Sequence, residues 1–67
     1  MNDEFLTTKQ VSERWPFLPA ATLRYWRHAD EGPASFRAGS RVLYRKSEIE
    51  RWLTAQETST RRGGGAA

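Results

Sequence analysis

The apolar positions near the start of the chain predict a short capped helix. Residues 7–10, TTKQ, have the spacing of a capping box, in which Thr7 and Gln10 satisfy each other's free backbone amides. Val11 and the tryptophan one turn later then lie on one face, so we predict a first helix over residues 8–15, with Leu6 packing against it from outside. Pro16 ends this helix.

A second helical pattern follows after a short link. Pro19 suits the first position of a helix, where its missing N–H is not needed. We predict a second helix over residues 20–30, with Leu23 and Trp26 facing inward. Gly32 is expected to supply the left-handed residue that stops it, and the proline after Gly32 prevents continuation.

The predicted C-terminus of this helix is acidic. Asp30 and Glu31 lie where the helix dipole disfavours anions. Pairing with Arg27, three and four residues earlier, would offset this and hold Arg27 in one rotamer. Simple solvation of the two carboxylates is the alternative.

Residues 36–45 alternate as a two-stranded ribbon does. If Phe36, Val42 and Tyr44 face the core, alternation turns the neighbouring residues outward. A three-residue tip, residues 38–40, fits this phase and gives the central glycine the positive φ that such loops use. The outward arginines are Arg37, Arg41 and Arg45.

The predicted register opposes two like charges. Arg37 and Arg41 would face each other across the ladder, which destabilises an isolated hairpin but favours binding to a polyanion. A register that differs by one residue would leave them offset. Leu43 also points outward in this phase, which suggests contact with another protein surface, although a tolerated exposed leucine is common.

A third helix and a polar tail complete the chain. Residues 47–50, SEIE, form a second predicted capping box, and Ile49, Trp52 and Leu53 form the apolar stripe. We expect one domain over residues 1–55. The segment 56–67 contains no large apolar anchor and is predicted to be disordered.

Composition limits how the fold is stabilised and what chemistry it supports. The chain has 67 residues, no cysteine and one histidine, His28, so disulfides and the usual metal-ligand sets are excluded. The aromatic residues must therefore supply the core, with Phe17 and Leu18 plugging the gap between helices and Trp52 closing it. We expect no metal, cofactor or small-molecule ligand, and no enzymatic activity.

The positive charge is concentrated between residues 24 and 46. The formal net charge is +3, and nine of the eleven cationic residues are arginine, whose planar fork suits phosphates and guanine edges. Only Asp30 and Glu31 interrupt the basic segment. A solvated basic face is the alternative to a duplex-DNA surface. The cations of this segment are Arg24, Arg27, Arg37, Arg41, Arg45 and Lys46.

The sequence also indicates where the protein acts. No apolar run approaches the roughly 20 residues of a membrane span. The first four residues, MNDE, are acidic, unlike a signal peptide. We therefore expect a cytoplasmic protein of a bacterial or phage-infected cell, associated with the nucleoid and not with membranes.

Three segments together carry a family resemblance. LTTKQVSERW, TLRYW and GSRVLYRKSEIERWL resemble the small phage excisionases and related MerR-type winged-helix proteins, over residues 5 to 54. The resemblance implies an α+β fold, a small winged helix-turn-helix with three helices and a two-stranded β-hairpin wing in the order helix, helix, strand, strand, helix. The chain departs from the family in a link of residues 16–21 about one residue longer than usual, and in having no Ser or Asp to cap the second helix.

The resemblance also implies which residues contact double-stranded DNA. The second helix would enter the major groove, the wing would lie along a neighbouring minor groove, and the start of the first helix would touch phosphate. The recognition-helix set is Thr22, Arg24, Tyr25, Arg27 and His28; the wing set is Arg37, Ser40, Arg41 and Arg45; the phosphate set is Thr8 and Lys9.

Excisionases of this kind bind and bend DNA at attachment sites and direct an integrase toward excision. A partner integrase and head-to-tail self-association on DNA through Leu43 are therefore expected. The lack of a dimerisation helix after Leu53 favours this role over that of a MerR-like or prophage transcriptional regulator. A protein-interaction module, such as an antitoxin, is the third alternative.

Overall fold

The computed structural model describes residues 3–64 and confirms the α+β class. One additional strand precedes the first helix, so the order is strand, helix, helix, strand, strand, helix. Met1 and Asn2 of the acidic start, and the last three residues of the predicted tail, lie outside the described residues. The elements are β1 (Phe5–Thr7), α1 (Thr8–Arg14), α2 (Ala20–His28), β2 (Phe36–Ala38), β3 (Arg41–Arg45) and α3 (Lys46–Thr60).

The three strands form one antiparallel sheet in the order β1-β3-β2. Leu6 pairs with Tyr44, and both side chains are buried. The backbone N–H of Lys46 donates to the carbonyl of Glu4 at 2.8 Å, which continues this edge of the sheet to the start of α3. The short strand β1 therefore forms one edge of the sheet, beside β3, and leads directly into α1.

The predicted cap of α1 is confirmed. The Gln10 N–H donates to Thr7 Oγ1 at 3.2 Å, and the Thr7 N–H donates to Gln10 Oε1 at 2.9 Å. Thr7 has an extended backbone, with φ −75° and ψ 167°, so the same residue ends β1 and caps α1. Helix α1 ends at Arg14, one residue earlier than predicted.

The end of α2 differs from the prediction. Pro19 is the N-cap and not the first helical residue, and the helix ends at His28. The left-handed residue that stops it is Asp30, with φ 59°, and not Gly32. The Glu31 N–H then donates to the Trp26 carbonyl at 2.7 Å, the bond expected two residues beyond a helix C-cap.

Gly32 has a different role from the one predicted. Its φ of 78° belongs to the following turn, and a Cβ built on it would lie 2.7 Å from Cε3 of the Trp26 ring. The glycine is thus needed for close packing as well as for its backbone angle. The predicted pairing of Arg27 with Asp30 or Glu31 is wrong, since none of the ion pairs within residues 3–64 involves Arg27.

Helix α3 is capped by a distant residue. The predicted capping box is wrong, because α3 begins at Lys46 and Ser47 is already inside it. Asp3 supplies the cap: its Oδ1 accepts from the Ser47 N–H at 3.1 Å, and its Oδ2 accepts from the Ser47 hydroxyl at 2.8 Å and from Arg45 at 3.3 Å. The helix continues to Thr60, five residues past the predicted end of the domain.

The buried core is mainly aliphatic. The prediction that aromatics supply it is correct for the tryptophans, which pack against its edge, but wrong for the phenylalanines. Trp26 and Trp52 stack at a centroid distance of 5.2 Å. Leu18 is buried and fills the gap between α1 and α2, whereas Phe17 is 66% exposed. The Leu18 N–H donates to the Trp15 carbonyl, and this turn directs only the Leu18 side chain inward. The buried residues are Leu6, Val11, Leu18, Leu23, Tyr44 and Ile49.

None of the helices within residues 3–64 combines the length and the apolar character that crossing a bilayer requires.

We predict that Asp30→Gly stabilises the fold by about 1 kcal/mol. A left-handed conformation costs a non-glycine residue about 1–2 kcal/mol, and the substitution also removes a carboxylate from a helix C-terminus. Chemical denaturation of the two proteins measures the change. Gly32→Ala is the contrasting variant, and it should destabilise, because it meets the Trp26 ring. A loss of stability in Asp30→Gly would refute the assignment of Asp30 as the helix stop.

Asp3→Asn should remove a pH-dependent part of the stability. Hydrogen bonds from Ser47 lower the pKa of the Asp3 carboxyl below its ordinary 3.8, with a further contribution from Arg45. Because the folded pKa is the lower one, this stabilisation is complete above the ordinary pKa and is lost as the pH falls through the folded pKa. Thermal melts should therefore separate the two proteins near neutral pH and converge in acid. Equal melting at every pH would show that Asp3 does not cap α3.

Candidate nucleic-acid interface

The hairpin has a tighter turn than predicted. Arg37 pairs with Val42 and Ala38 with Arg41, which leaves a two-residue loop of Gly39 and Ser40. The predicted register, with Arg37 opposite Arg41, is therefore wrong by one residue, and the offset alternative is correct. Gly39 has φ 65°, which suits the first position of a two-residue turn, whereas a three-residue loop would require the positive φ at Ser40.

The register determines which side chains share a face of the sheet. Directly paired residues point to the same side, so Arg37 lies on the inner face with Val42 and Tyr44, and its predicted outward orientation is wrong. Phe36 pairs with Leu43 on the outer face, so its predicted inward orientation is wrong; it is 40% exposed. The outward orientation predicted for Leu43 is confirmed.

Arg45 is held on the outer face by aromatic rings. Its guanidinium carbon lies 4.8 Å from the centroid of the Phe5 ring and 6.0 Å from that of Phe36, and the two rings meet edge to face at 5.8 Å. The side chain also pairs with Asp3 at 3.3 Å. The structure thus separates Arg45 from Arg37 of the predicted wing set.

The exposed side of α2 presents three of the five predicted recognition residues. Arg24, Tyr25 and His28 are exposed, and Tyr25 retains 66% of its accessible surface. Thr22 and Arg27 are half-buried at the two margins of this side. Arg27 lies one turn after the buried Leu23, which places it at the edge nearer the core.

A groove separates the C-terminal end of α2 from the hairpin. It has a volume of about 810 Å³, and the loop of residues 30–35 lines it between these two elements. Arg27 and His28 line it from α2, while Arg37 and Ser40 line it from the hairpin. Two arginines from separate elements therefore border one concave surface, which Asp30 and Glu31 also line.

The ion pairs of the structure lie away from this groove. Exposed pairs of this kind contribute little to stability, but each one neutralises a cation locally. Within residues 3–64, four arginines on α2 and the hairpin strands form no ion pair: Arg24, Arg27, Arg37 and Arg41. The pairs are Arg14–Glu4 at 3.0 Å, Arg45–Asp3 at 3.3 Å, Lys46–Glu50 at 4.0 Å and Arg51–Glu48 at 3.0 Å.

The start of α1 lies over the hydroxyl end of a core tyrosine. Lys9 is exposed and Thr8 is half-buried. Tyr44 is 1% exposed, and among the described residues its hydroxyl has no hydrogen-bond partner. Burial raises the pKa of Tyr44 above its ordinary 10.0; the Thr8 side chain, which lies near enough for a weak hydrogen bond outside ordinary geometry, and the charge of Arg27 oppose that rise. The sequence predicted Tyr44 only as a core residue, because alternation indicates its face but not the partners of its hydroxyl.

Comparison with known proteins agrees with this geometry. A family model described as a helix-turn-helix domain matches residues 5–57, which include every element from β1 to most of α3. No curated protein and no solved structure matches the chain significantly. The chain therefore belongs to this helix-turn-helix family, a DNA-binding family that includes excisionase-like proteins.

Proposed function

We propose that this protein is an excisionase, which binds duplex DNA at attachment sites, bends it, and directs an integrase toward excision. The main support is the set of four arginines on α2 and the hairpin that have no acid partner among residues 3–64, whereas the other cations between residues 14 and 51 are paired with acids. Membership of a DNA-binding family that includes excisionase-like proteins also supports it.

In this proposal α2 reads the major groove. A helix of nine residues is about 13 Å long, which matches a groove about 12 Å wide. Arg24, Tyr25 and His28 would face the base edges, while Thr22 and Arg27 at the margins would face the flanking backbone. Arginine makes its most specific contact with the two acceptors of guanine.

The hairpin would lie in an adjacent minor groove. Its two-residue tip, Gly39–Ser40, is slim enough for a groove about 6 Å wide. Arg41 is exposed beside the tip, and arginine favours narrow, electronegative minor grooves. Lys9 and Thr8 would contact phosphate at the start of α1. Arg45, which is already paired and stacked, contributes to the hairpin base and is the weakest member of the proposed DNA-binding set.

The outer face of the sheet is the surface proposed for contacts between neighbours on DNA. Phe5 is 48% exposed and Phe36 is 40% exposed, and Leu43 lies with them on this face. Apolar groups grouped in this way commonly mark protein contacts. Several copies bound side by side would gain affinity through this face that one small footprint does not supply.

Two other functions would use the same surfaces. A transcriptional regulator would bind DNA through the same residues but would change promoter output without any recombinase. An interaction module would dock a protein on these faces and would show little affinity for duplex. An excision assay with the integrase of the same genetic element, on supercoiled attachment-site DNA, separates them. Excisive product that depends on this protein supports the proposal. DNA binding without any effect on excision would favour the regulator.

Arg24→Ala should reduce specificity more than general affinity. A bidentate contact with guanine contributes about 1–3 kcal/mol of discrimination, so binding to a selected site should fall roughly tenfold or more. Binding to random duplex should change little. Arg51→Ala is the matched control, because Arg51 is also an exposed helical arginine but is paired with Glu48 on α3. Equal losses on selected and random DNA would instead make Arg24 a phosphate contact.

Arg41→Ala should weaken binding to every duplex. Loss of one cation that neutralises a phosphate should flatten the dependence of log affinity on log salt by about one unit, and bending measured by gel mobility should decrease. The thermal melt should not change, because Arg41 is exposed and pairs with Ala38 across the ladder.

The opposite result at Arg41 would be equally informative. A less stable protein with unchanged DNA affinity would make the hairpin a structural element only, and would favour the interaction module.

A further inference from the structure

The Tyr44 hydroxyl is a buried polar group that has no hydrogen bond of ordinary geometry among residues 3–64. Tyr44 lies on the central strand, and its side chain packs in the core with Leu6 and Leu23. Thr8 and Arg27 lie near this hydroxyl, since both oppose the rise that burial causes in the pKa of Tyr44. A buried hydroxyl without a partner costs about 1–3 kcal/mol, a cost that phenylalanine would avoid while filling nearly the same space. A feature of this kind calls for a functional explanation.

Two half-buried residues, Thr8 and Arg27, lie near this hydroxyl. Leu6 is the direct partner of Tyr44 across the sheet, and Thr8, two residues later, begins α1. Arg27 follows Leu23 by one helical turn on α2. Neither residue is fully buried, so each can touch the core on one side and solvent on the other.

The donors and acceptors of these groups determine which of them can donate to the next in a chain of hydrogen bonds that ends at a phosphate. A DNA phosphate only accepts hydrogen bonds, so a Thr8 hydroxyl that contacts it must direct its proton outward. The lone pairs of Thr8 Oγ1 then remain free to accept a proton from inside. Arg27, which has only donors, can contact the same phosphate.

We propose that Tyr44 is a positioning residue for DNA binding: its hydroxyl donates to Thr8 Oγ1, and Thr8 donates to a backbone phosphate that Arg27 also contacts. This relay rests on the proposed DNA-binding function, and it forms in the complex, where the phosphate fixes the orientation of the Thr8 hydroxyl. Successive hydrogen bonds polarise one another, so the buried donor strengthens a contact it does not itself make.

Tyr44→Phe separates this role from a structural one. The variant should melt at the wild-type temperature or above, because it removes an unpaired buried group. Its affinity for duplex DNA should fall roughly three- to tenfold, the equivalent of one hydrogen bond. The salt dependence of binding should stay the same, because no charge is lost. Unchanged affinity would overturn the relay, and so would a lower melting temperature, which would show that the hydroxyl is already paired in the free protein.

Thr8 supplies the second half of the test. Thr8→Val removes the hydroxyl at nearly constant shape and should cost as much affinity as Tyr44→Phe, whereas Thr8→Ser keeps the hydroxyl and should retain binding. The double variant Thr8→Val/Tyr44→Phe should lose no more than either single one, because both interrupt the same path. Additive losses would overturn the relay. Failure of the wild-type protein to bind duplex at all would instead overturn the proposed function.

Discussion

The register of β3 between β1 and β2 is the constraint on which the rest of the structure depends. Side chains alternate along a strand, so Val42 and Tyr44 enter the core only if Leu43 and Arg45 leave it. A slip of one residue would exchange the two sets and place a guanidinium among the aliphatic side chains. The two-residue turn at Gly39 fixes this register on one side, and the pairing of Leu6 with Tyr44 fixes it on the other.

The first described residues have an unusually large role for so short a segment. Asp3 caps α3, the strand β1 closes the sheet, and Thr7 caps α1. Two helices and the sheet are thus joined within five residues. A domain of this size buries too little surface to depend on packing alone, and the sequence contains no cysteine for a disulfide. Hydrogen bonds at the helix ends therefore join distant parts of the chain, as a disulfide does in other small domains.

Local signals in the sequence predicted the three helices and the hairpin, whereas strand β1 and the contacts between distant residues were not predicted. The α1 cap, the three helices and the hairpin follow from spacings of a few residues. The Asp3 cap joins positions 44 residues apart, and no local pattern marks it. Ser47 has the spacing of a cap but lies inside α3, because the chain continues from β3 into the helix without a break. Asp30 was not predicted as the helix stop because glycine adopts the left-handed conformation more readily, which favoured Gly32. In the structure Gly32 lies in the following turn, where the Trp26 ring leaves no room for a Cβ.

The candidate site was predictable to the extent that charge alone determines it. The concentration of arginine between residues 24 and 46 indicated α2 and the hairpin as the candidate surface, but only the fold separates Arg45, which is stacked on Phe5, from Arg37, which lines the groove. A net charge of +3 gives a weak general attraction to a polyanion. Four ion pairs among residues 3–64 confine cations to other faces, and Asp30 and Glu31 line the groove itself. Affinity for DNA must therefore come from the positions of the arginines that have no acid partner among residues 3–64, rather than from total charge. The register of β3 sets those positions on the hairpin, and the start and end of α2 set them on the helix.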